Sequence, residues 1–323
     1  DADRIILVNK GTMAAIGINS MNKWMRLLKQ KIIKRHLFNS VTARLHFMER
    51  RRELKKIVGN LIDKYQMEPM EQKPLDRKIS NYVWVCWWQG ESDMSPIVKT
   101  CYKQIKKLNA DKQVILITEK NVGKYVTFPS YIIEKFRKGI ITKTHFSDLL
   151  RTELLCQYGG VWLDITLMTW TSVPDNFFEF PIYTGHFTYN KNDYNISRNR
   201  WTSFFLVARY PNNVLFRYLA DFWRMYWEQK DYLIEYFLVD YAIDFGYHYI
   251  STIRKEIDLV PINGCGKDVW QLLEILPEQF QDEVIEKIKR ENWMQKLSYK
   301  GENRIQEQST SPEESVYKKI FLD

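Results

Sequence analysis

The chain has 323 residues, 45% of them hydrophobic and 15% aromatic, which is enough to bury a sizeable core and excludes a disordered polymer. Its formal charge of +9 favours anionic partners, among them sugar nucleotides, acidic polysaccharides, anionic lipid headgroups and nucleic acid. No apolar run approaches the roughly 18–20 residues that span a bilayer, and the start of the chain lacks the apolar stretch of a secretory signal, so a protein that neither crosses a membrane nor is exported is expected.

The chain begins at Asp1, and Met21 opens a new composition, so residues 1–20 are expected to be an added segment outside the fold. From Asn22 to Gly59 there are twelve basic side chains against two acidic ones. The basic character of the whole chain therefore belongs to this one segment. Its apolar residues (Trp24, Leu27, Leu28, Ile32, then Leu54, Ile57, Val58, Leu61) recur near helical spacing. A basic amphipathic segment over residues 21–62 suits an anionic membrane surface, and suits equally a helical hairpin packed on the main domain with a solvated basic face. Nucleic acid is not expected, because no recognition motif accompanies the charge. Residues 66–80 carry two prolines and little apolar content, as a linker does. The predicted organisation is thus 1–20 as the added segment, 21–74 as basic helical segment and linker, and 75–323 as the main domain.

That domain opens on residues 82–88 (YVWVCWW), a short run of strand formers, followed by Gln89 and Gly90, a helix from Pro96 to Leu108, and a second apolar strand from Gln113 to Thr118. This succession predicts an α/β fold with a parallel sheet covered on both faces. Ligands of such sheets bind at the carboxyl ends of the strands, which directs attention to the loops after Trp88, Thr118 and Asp164. The chain has no GxGxxG, no P-loop and no GxSxG, which argues against dinucleotide enzymes, P-loop NTPases and serine hydrolases. Four cysteines without CxxC spacing, three of them in apolar runs, read as free thiols and point to a reducing, cytoplasmic compartment.

Residues 145–169 (HFSDLLRTELLCQYGGVWLDITLMT) are the most informative stretch. Ser147 is a plausible N-cap for a helix that ends at Gly159, where left-handed geometry is cheap. In the strand after it, alternation puts Val161, Leu163, Ile165 and Leu167 on one face and Trp162, Asp164, Thr166 and Met168 on the other. A carboxylate in an apolar strand needs a partner: a divalent cation bridging to phosphates, or equally an arginine or a neighbouring turn. Asp148 and Arg151, three apart, share one helix face, either as a simple ion pair or as a carboxylate and guanidinium offered to sugar hydroxyls and phosphate oxygens.

The runs VWVCWWQG (83–90), SDLLR (147–151), YGGVWLDIT (158–166) and KLSYK (296–300) together resemble the capsular polysaccharide synthesis branch of the DXD-containing sugar-binding glycosyltransferases. The resemblance implies a GT-A type fold, a UDP-sugar donor, a divalent cation (Mn2+ or Mg2+) and transfer with retention. By position, Asp164 matches the first Asp of the DXD element, engaging metal and diphosphate, and Asp148 and Arg151 match the pair that holds the donor sugar. Trp88, Gln89 and Gly90 match the turn beside the nucleotide, and Ser298 and Lys300 lie in a late segment that closes over the diphosphate. Thr166 stands where the second Asp of DXD is usual, a neutral oxygen in place of a charge, and Asp240, Asp244 and Asn263 are candidates for a further metal ligand.

The expected protein is a cytoplasmic enzyme, peripheral at the inner face of the cell membrane, that moves a hexose or N-acetylhexosamine onto a lipid-linked capsular or cell-surface glycan. The rival expectation is a non-catalytic membrane-surface or polyanion-binding protein on a degenerate transferase scaffold. Three features have plainer readings: His145 as a histidine satisfied by a backbone carbonyl, the stripe Phe216, Leu219, Phe222, Trp223, Tyr226 and Trp227 as core, and the polar loop over residues 185–201 as an acceptor-binding or plain surface loop.

Overall fold

Tyr82–Cys86 (YVWVC) combines β-branched and aromatic residues, and it forms strand β1 near the middle of a five-stranded sheet. The computed structural model describes residues 40–69, 78–189, 195–308 and 312–322. Residues 1–20, the first part of the basic segment up to residue 39, residues 70–77 of the linker and residues 190–194 of the polar loop lie outside the described residues.

After β1 come β2 (Gln113–Ile117), β3 (Gly160–Leu163), β4 (Leu167–Thr169), β5 (Ile182–Thr184), β6 (Phe205–Ala208) and β7 (Met294–Lys296). The large sheet runs β2-β1-β3-β6-β5, and β4 pairs with β7 in a separate two-stranded sheet. The helices that position the site are α1 (Ser40–Val58), α2 (Asn60–Tyr65), α3 (Pro96–Leu108), α4 (Ser130–Arg137), α5 (Lys143–Tyr158), α6 (Val214–Gln229) and α7 (Leu238–Tyr249).

The expected parallel arrangement holds for β2, β1 and β3, where Val83 faces Val114 on one side and Val161 on the other. It gives way at β6, which pairs antiparallel with both β3 and β5. Parallel neighbours need a crossover, usually helical, and α3 and the α4–α5 pair supply two; between β5 and β6 the described residues form no helix. Both faces are covered, as the continuously apolar strands require. Trp84, Trp162 and Leu206 pack with α5 and α6 on one side, and Val83, Val85, Val161 and Leu163 pack with α3 on the other.

The predicted strand through Asp164 is interrupted. β3 stops at Leu163, the chain turns at Asp164, Ile165 and Thr166, with the Asp164 carbonyl accepting from Leu167 N (2.9 Å), and β4 continues into the small sheet. Alternation survives the break for Ile165 and Leu167, which join Val161 and Leu163 in one core cluster. Asp164 is held at the tip because its own N–H donates to the Phe204 carbonyl across the β3–β6 pair (2.9 Å).

The stripe on α6 is core throughout, with Phe216, Phe222, Tyr226 and Trp227 fully buried. α1 packs beside it through Leu54, Ile57 and Val58, so the described part of the basic segment is integral to the fold. All four cysteines are free thiols, and burial pushes Cys86 and Cys265 up to about 12. Among the described residues, no helix is long and apolar enough to cross a membrane.

Candidate active site

From β1 the chain crosses to β2 on one side, and β3 lies on the other, so the strand order reverses between β1 and β3. A crevice opens at the carboxyl ends of strands at such a switch point. Here it is a cavity of about 580 Å³ whose walls include Trp88, Gln89, Asp148, Arg151, Asp164 and Lys296. Ser298 and Lys300 also line it. Of the three loops expected to matter, those after Trp88 and Asp164 contribute and the one after Thr118 does not, because β2 is the edge strand and its end is closed locally by Asn121, whose side chain accepts from Thr118 N (2.8 Å).

The turn after β1 is built by Gly90, whose φ of +95° lets its N–H reach back to the Trp87 carbonyl (3.0 Å). Gly90 shapes the loop and does not line the cavity, whereas Trp88, seated edge-on against Phe136 and Phe146, and Gln89 do.

α5 begins one turn earlier than Ser147 would have it. Thr142 is the N-cap, its hydroxyl accepting from His145 N (3.4 Å), so Ser147 lies inside the helix. His145 is satisfied by the Tyr236 carbonyl (3.0 Å) and the Thr142 hydroxyl (2.7 Å). The helix then presents Asp148 and Arg151, both buried, to the cavity. The Arg151 guanidinium contacts the Asp148 carboxylate (3.1 Å) and the Asp164 carboxylate (3.5 Å), donates to the Ser203 carbonyl, and lies 5.2 Å from the centre of the Trp162 ring. One planar cation therefore ties the helix to the strand tip.

Asp164 accepts from the Trp162 indole N–H (3.0 Å), and its second oxygen meets the Lys296 ammonium at 3.2 Å. Burial works against its ionisation, but Lys296, Arg151 and the indole outweigh that and hold the carboxyl below the usual carboxylate range. Asp148 behaves oppositely: burial, aided by Asp240 and Asp164, raises it to about 7 against the pull of Arg151. Among the charged residues on the walls, Lys143, Arg151, Lys296 and Lys300 face two carboxylates, so the cavity suits an anionic ligand.

By themselves the described residues do not supply a full set of protein ligands for a divalent cation. Asp164 supplies one ionised carboxylate, already against two cations, and the Thr166 hydroxyl accepts from Lys296. Asp244 is fully buried and bound by Arg51 and His248. Asn263 bonds Thr188, and Asp240 accepts from Trp201 (3.1 Å); neither lines the cavity. Among the described residues, no three His, Cys, Asp or Glu side chains converge as metal ligands would.

Sequence reasoning passes over Lys296. It lies 130 positions from Thr166 and reaches it only because β7 pairs with β4, Leu167 opposite Lys296. The one signal for it in the sequence is its place at the head of KLSYK, ahead of Ser298 and Lys300. Sequence reasoning also passes over Tyr236, Phe237, Trp270 and Tyr299, exposed aromatic residues that line the cavity. None of the described residues of the 185–201 loop lines it.

Comparison with known proteins adds three findings. The family described as "Capsular polysaccharide synthesis protein" matches residues 30–320. A curated relative, "O-glycosyltransferase braB" of Annulohypoxylon truncatum, is 30% identical over 102 residues, 29% of this chain and 24% of the relative, so the match spans about a quarter of that protein's length. A solved structure, "PaToxG Glycosyltransferase", overlaps 78% of this chain and 99% of its own at 14% identity with a TM-score of 0.36, too low to carry an argument. The family match runs over most of the described fold and includes every residue of the cavity, and by it the chain belongs to the capsular polysaccharide synthesis protein family.

Proposed function

We propose that this chain is a glycosyltransferase that moves a hexose or N-acetylhexosamine from a UDP-sugar to a glycan acceptor, with retention at the transferred carbon. The observation that carries the proposal is the cavity at the β1–β3 switch point, where an ionised Asp164 sits among Arg151, Lys296 and Lys300. A diphosphate fits such charge, and a sugar with several hydroxyls fits the adjoining Asp148, whose carboxyl near neutrality both donates and accepts. The exposed rings of Phe237 and Trp270 offer apolar faces for an acceptor sugar.

In this reading Trp88 and Gln89 border the nucleotide, and Ser298 and Lys300 meet the diphosphate. Arg151 fixes Asp164 and Asp148 relative to each other. The acceptor hydroxyl attacks the face from which the diphosphate departs, the carbon–oxygen bond electrons leave with the diphosphate, and the hydroxyl proton passes to that leaving oxygen. Basic side chains around the leaving group are where such a reaction gains most, because charge develops there. The capsular family membership and the name of the curated relative support the transferase class. The acceptor is proposed to be a lipid-linked polysaccharide presented at an anionic membrane surface on the cytoplasmic side, which the exposed Arg44, Arg52, Lys55 and Lys56 of α1 would approach.

The test is hydrolysis or transfer over a panel of UDP-sugars, assayed with and without Mn2+. Asp164→Ala should keep the fold and lower turnover by at least about 100-fold. Turnover unchanged in that variant would remove Asp164 from the mechanism, and a folded wild-type chain that binds no sugar nucleotide would favour the non-catalytic polyanion-binding reading.

A further inference from the structure

Strand β7 brings one side chain into the turn that the family resemblance assigns to a metal. β7 is firmly placed: Gln295 is fully buried, donates to the Asp268 carbonyl (2.8 Å) and accepts from Leu272 N (2.8 Å), and Leu297 N donates to the Thr166 carbonyl (2.9 Å). Lys296, between them, extends its ammonium to the Asp164 carboxylate (3.2 Å) and the Thr166 hydroxyl. The same two oxygen-bearing side chains flank the aspartate–x–threonine turn from which a D-x-D element would hold its ion.

We propose that the Lys296 ammonium, gripped by Asp164 and Thr166, is the built-in cation of this site and binds the donor diphosphate without a divalent metal. The inference rests on the glycosyltransferase reading above and deepens it. Charge accounting supports it. Two aspartates and a divalent ion sum to zero, and so do one aspartate, one threonine and one lysine. Thr166 is then the matched partner of a monovalent cation and not a defect in a metal site.

Geometry agrees. An ammonium carries three donors. Asp164 and Thr166 take two, and since Lys296 lines the cavity the third is left for a phosphate oxygen of a ligand bound there. The ammonium also lies 5.7 Å from the centre of the Phe204 ring, and holding it in place before the ligand arrives lowers the rotameric freedom a lysine usually loses on binding. A divalent ion at Asp164 would have to sit beside the ammonium and the Arg151 guanidinium, and like charges so placed repel strongly where water is scarce. The carbon–oxygen bond breaks with its electron pair kept by the diphosphate, and Lys296 stabilises that growing charge while the acceptor oxygen forms the new bond.

Titration calorimetry of the full chain with UDP, in excess EDTA and in excess Mn2+, tests this. The expected result is binding in EDTA, with an affinity within about threefold of that in Mn2+. Lys296→Met, which keeps the stem and drops the charge, should weaken UDP binding in EDTA by more than about tenfold, with its folding checked by circular dichroism. Binding that requires Mn2+ in the wild-type chain overturns the proposal and leaves the transferase reading standing. Undiminished binding by folded Lys296→Met also overturns it. No UDP binding in either medium by folded wild-type protein overturns this inference together with the transferase reading. The wild-type comparison decides the matter even where the variant does not fold.

Discussion

Asp148 and Asp164 share the Arg151 guanidinium yet hold their protons differently. Asp164 has a second cation and an indole N–H, while Asp148 has burial and two neighbouring carboxylates against it. Environments that push two carboxyls apart divide their roles: Asp164 is a fixed charge, and Asp148 exchanges a proton near neutrality. Because the folded-state value of Asp148 is raised to about 7, its contribution to stability is full below the ordinary carboxylate range and is lost as pH rises towards neutrality. Asp148→Asn removes that loss. The melting temperature of the variant, measured against wild type, should therefore climb relative to it between pH 5 and pH 8; a difference that stays constant over that range would show that Asp148 keeps an ordinary value. At this scale the sequence is informative about Asp148, Arg151 and Asp164 because local runs carry them. Lys296 is hidden because its partner oxygens belong to a turn far away in the chain, reached through the β4–β7 pairing, and single-sequence periodicity does not report strand pairing.

The element scale is where the glycines between α5 and β3 act. Gly159 and Gly160 both have positive φ, +66° and +90°, and carry the chain from a helix directly into a buried central strand. The pairing of helix end and strand start is readable from Tyr158-Gly159-Gly160, as are α3 and β2 from their apolar patterns. The interruption at Asp164 is not, since Ile165 and Leu167 keep the alternation on both sides of the turn and only the separate β4–β7 sheet reveals the change of partner. Nor is the cap of α5, where Ser147 has the better position against the apolar pattern and Thr142 lies a turn upstream of it. At Gly160 a Cβ would run into the Tyr82 carbonyl oxygen of β1 in addition to straining the backbone. Gly160→Ala should cost about 2–4 kcal/mol in chemical denaturation, and a loss below about 0.5 kcal/mol would mean that the β1–β3 junction yields easily.

Over the whole molecule, part of the excess positive charge and the core are joined in α1. Leu54, Ile57 and Val58 bury one side of this helix against α6, and Arg51 reaches the fully buried Asp244 on α7. Deleting the basic segment would therefore expose core and leave a buried carboxylate short of a partner, so truncation is a poor test of membrane binding. The opposite side exposes Arg44, Arg52, Lys55 and Lys56 together with Leu45 and Met48, a mixture suited to an anionic bilayer surface. Replacing Arg44, Arg52 and Lys56 with Glu changes charge without touching the buried face. Sedimentation with vesicles rich in anionic lipid should show binding by the wild-type chain that weakens as salt rises, since screening shortens such attraction to about 10 Å at 0.1 M. Each basic residue near an anionic surface contributes about 1 kcal/mol, so the triple variant should lose binding by more than about 100-fold. Equal binding by the variant, or wild-type binding indifferent to salt, would return the exposed side of α1 to an ordinary solvated surface and leave the acceptor to reach the cavity without a membrane.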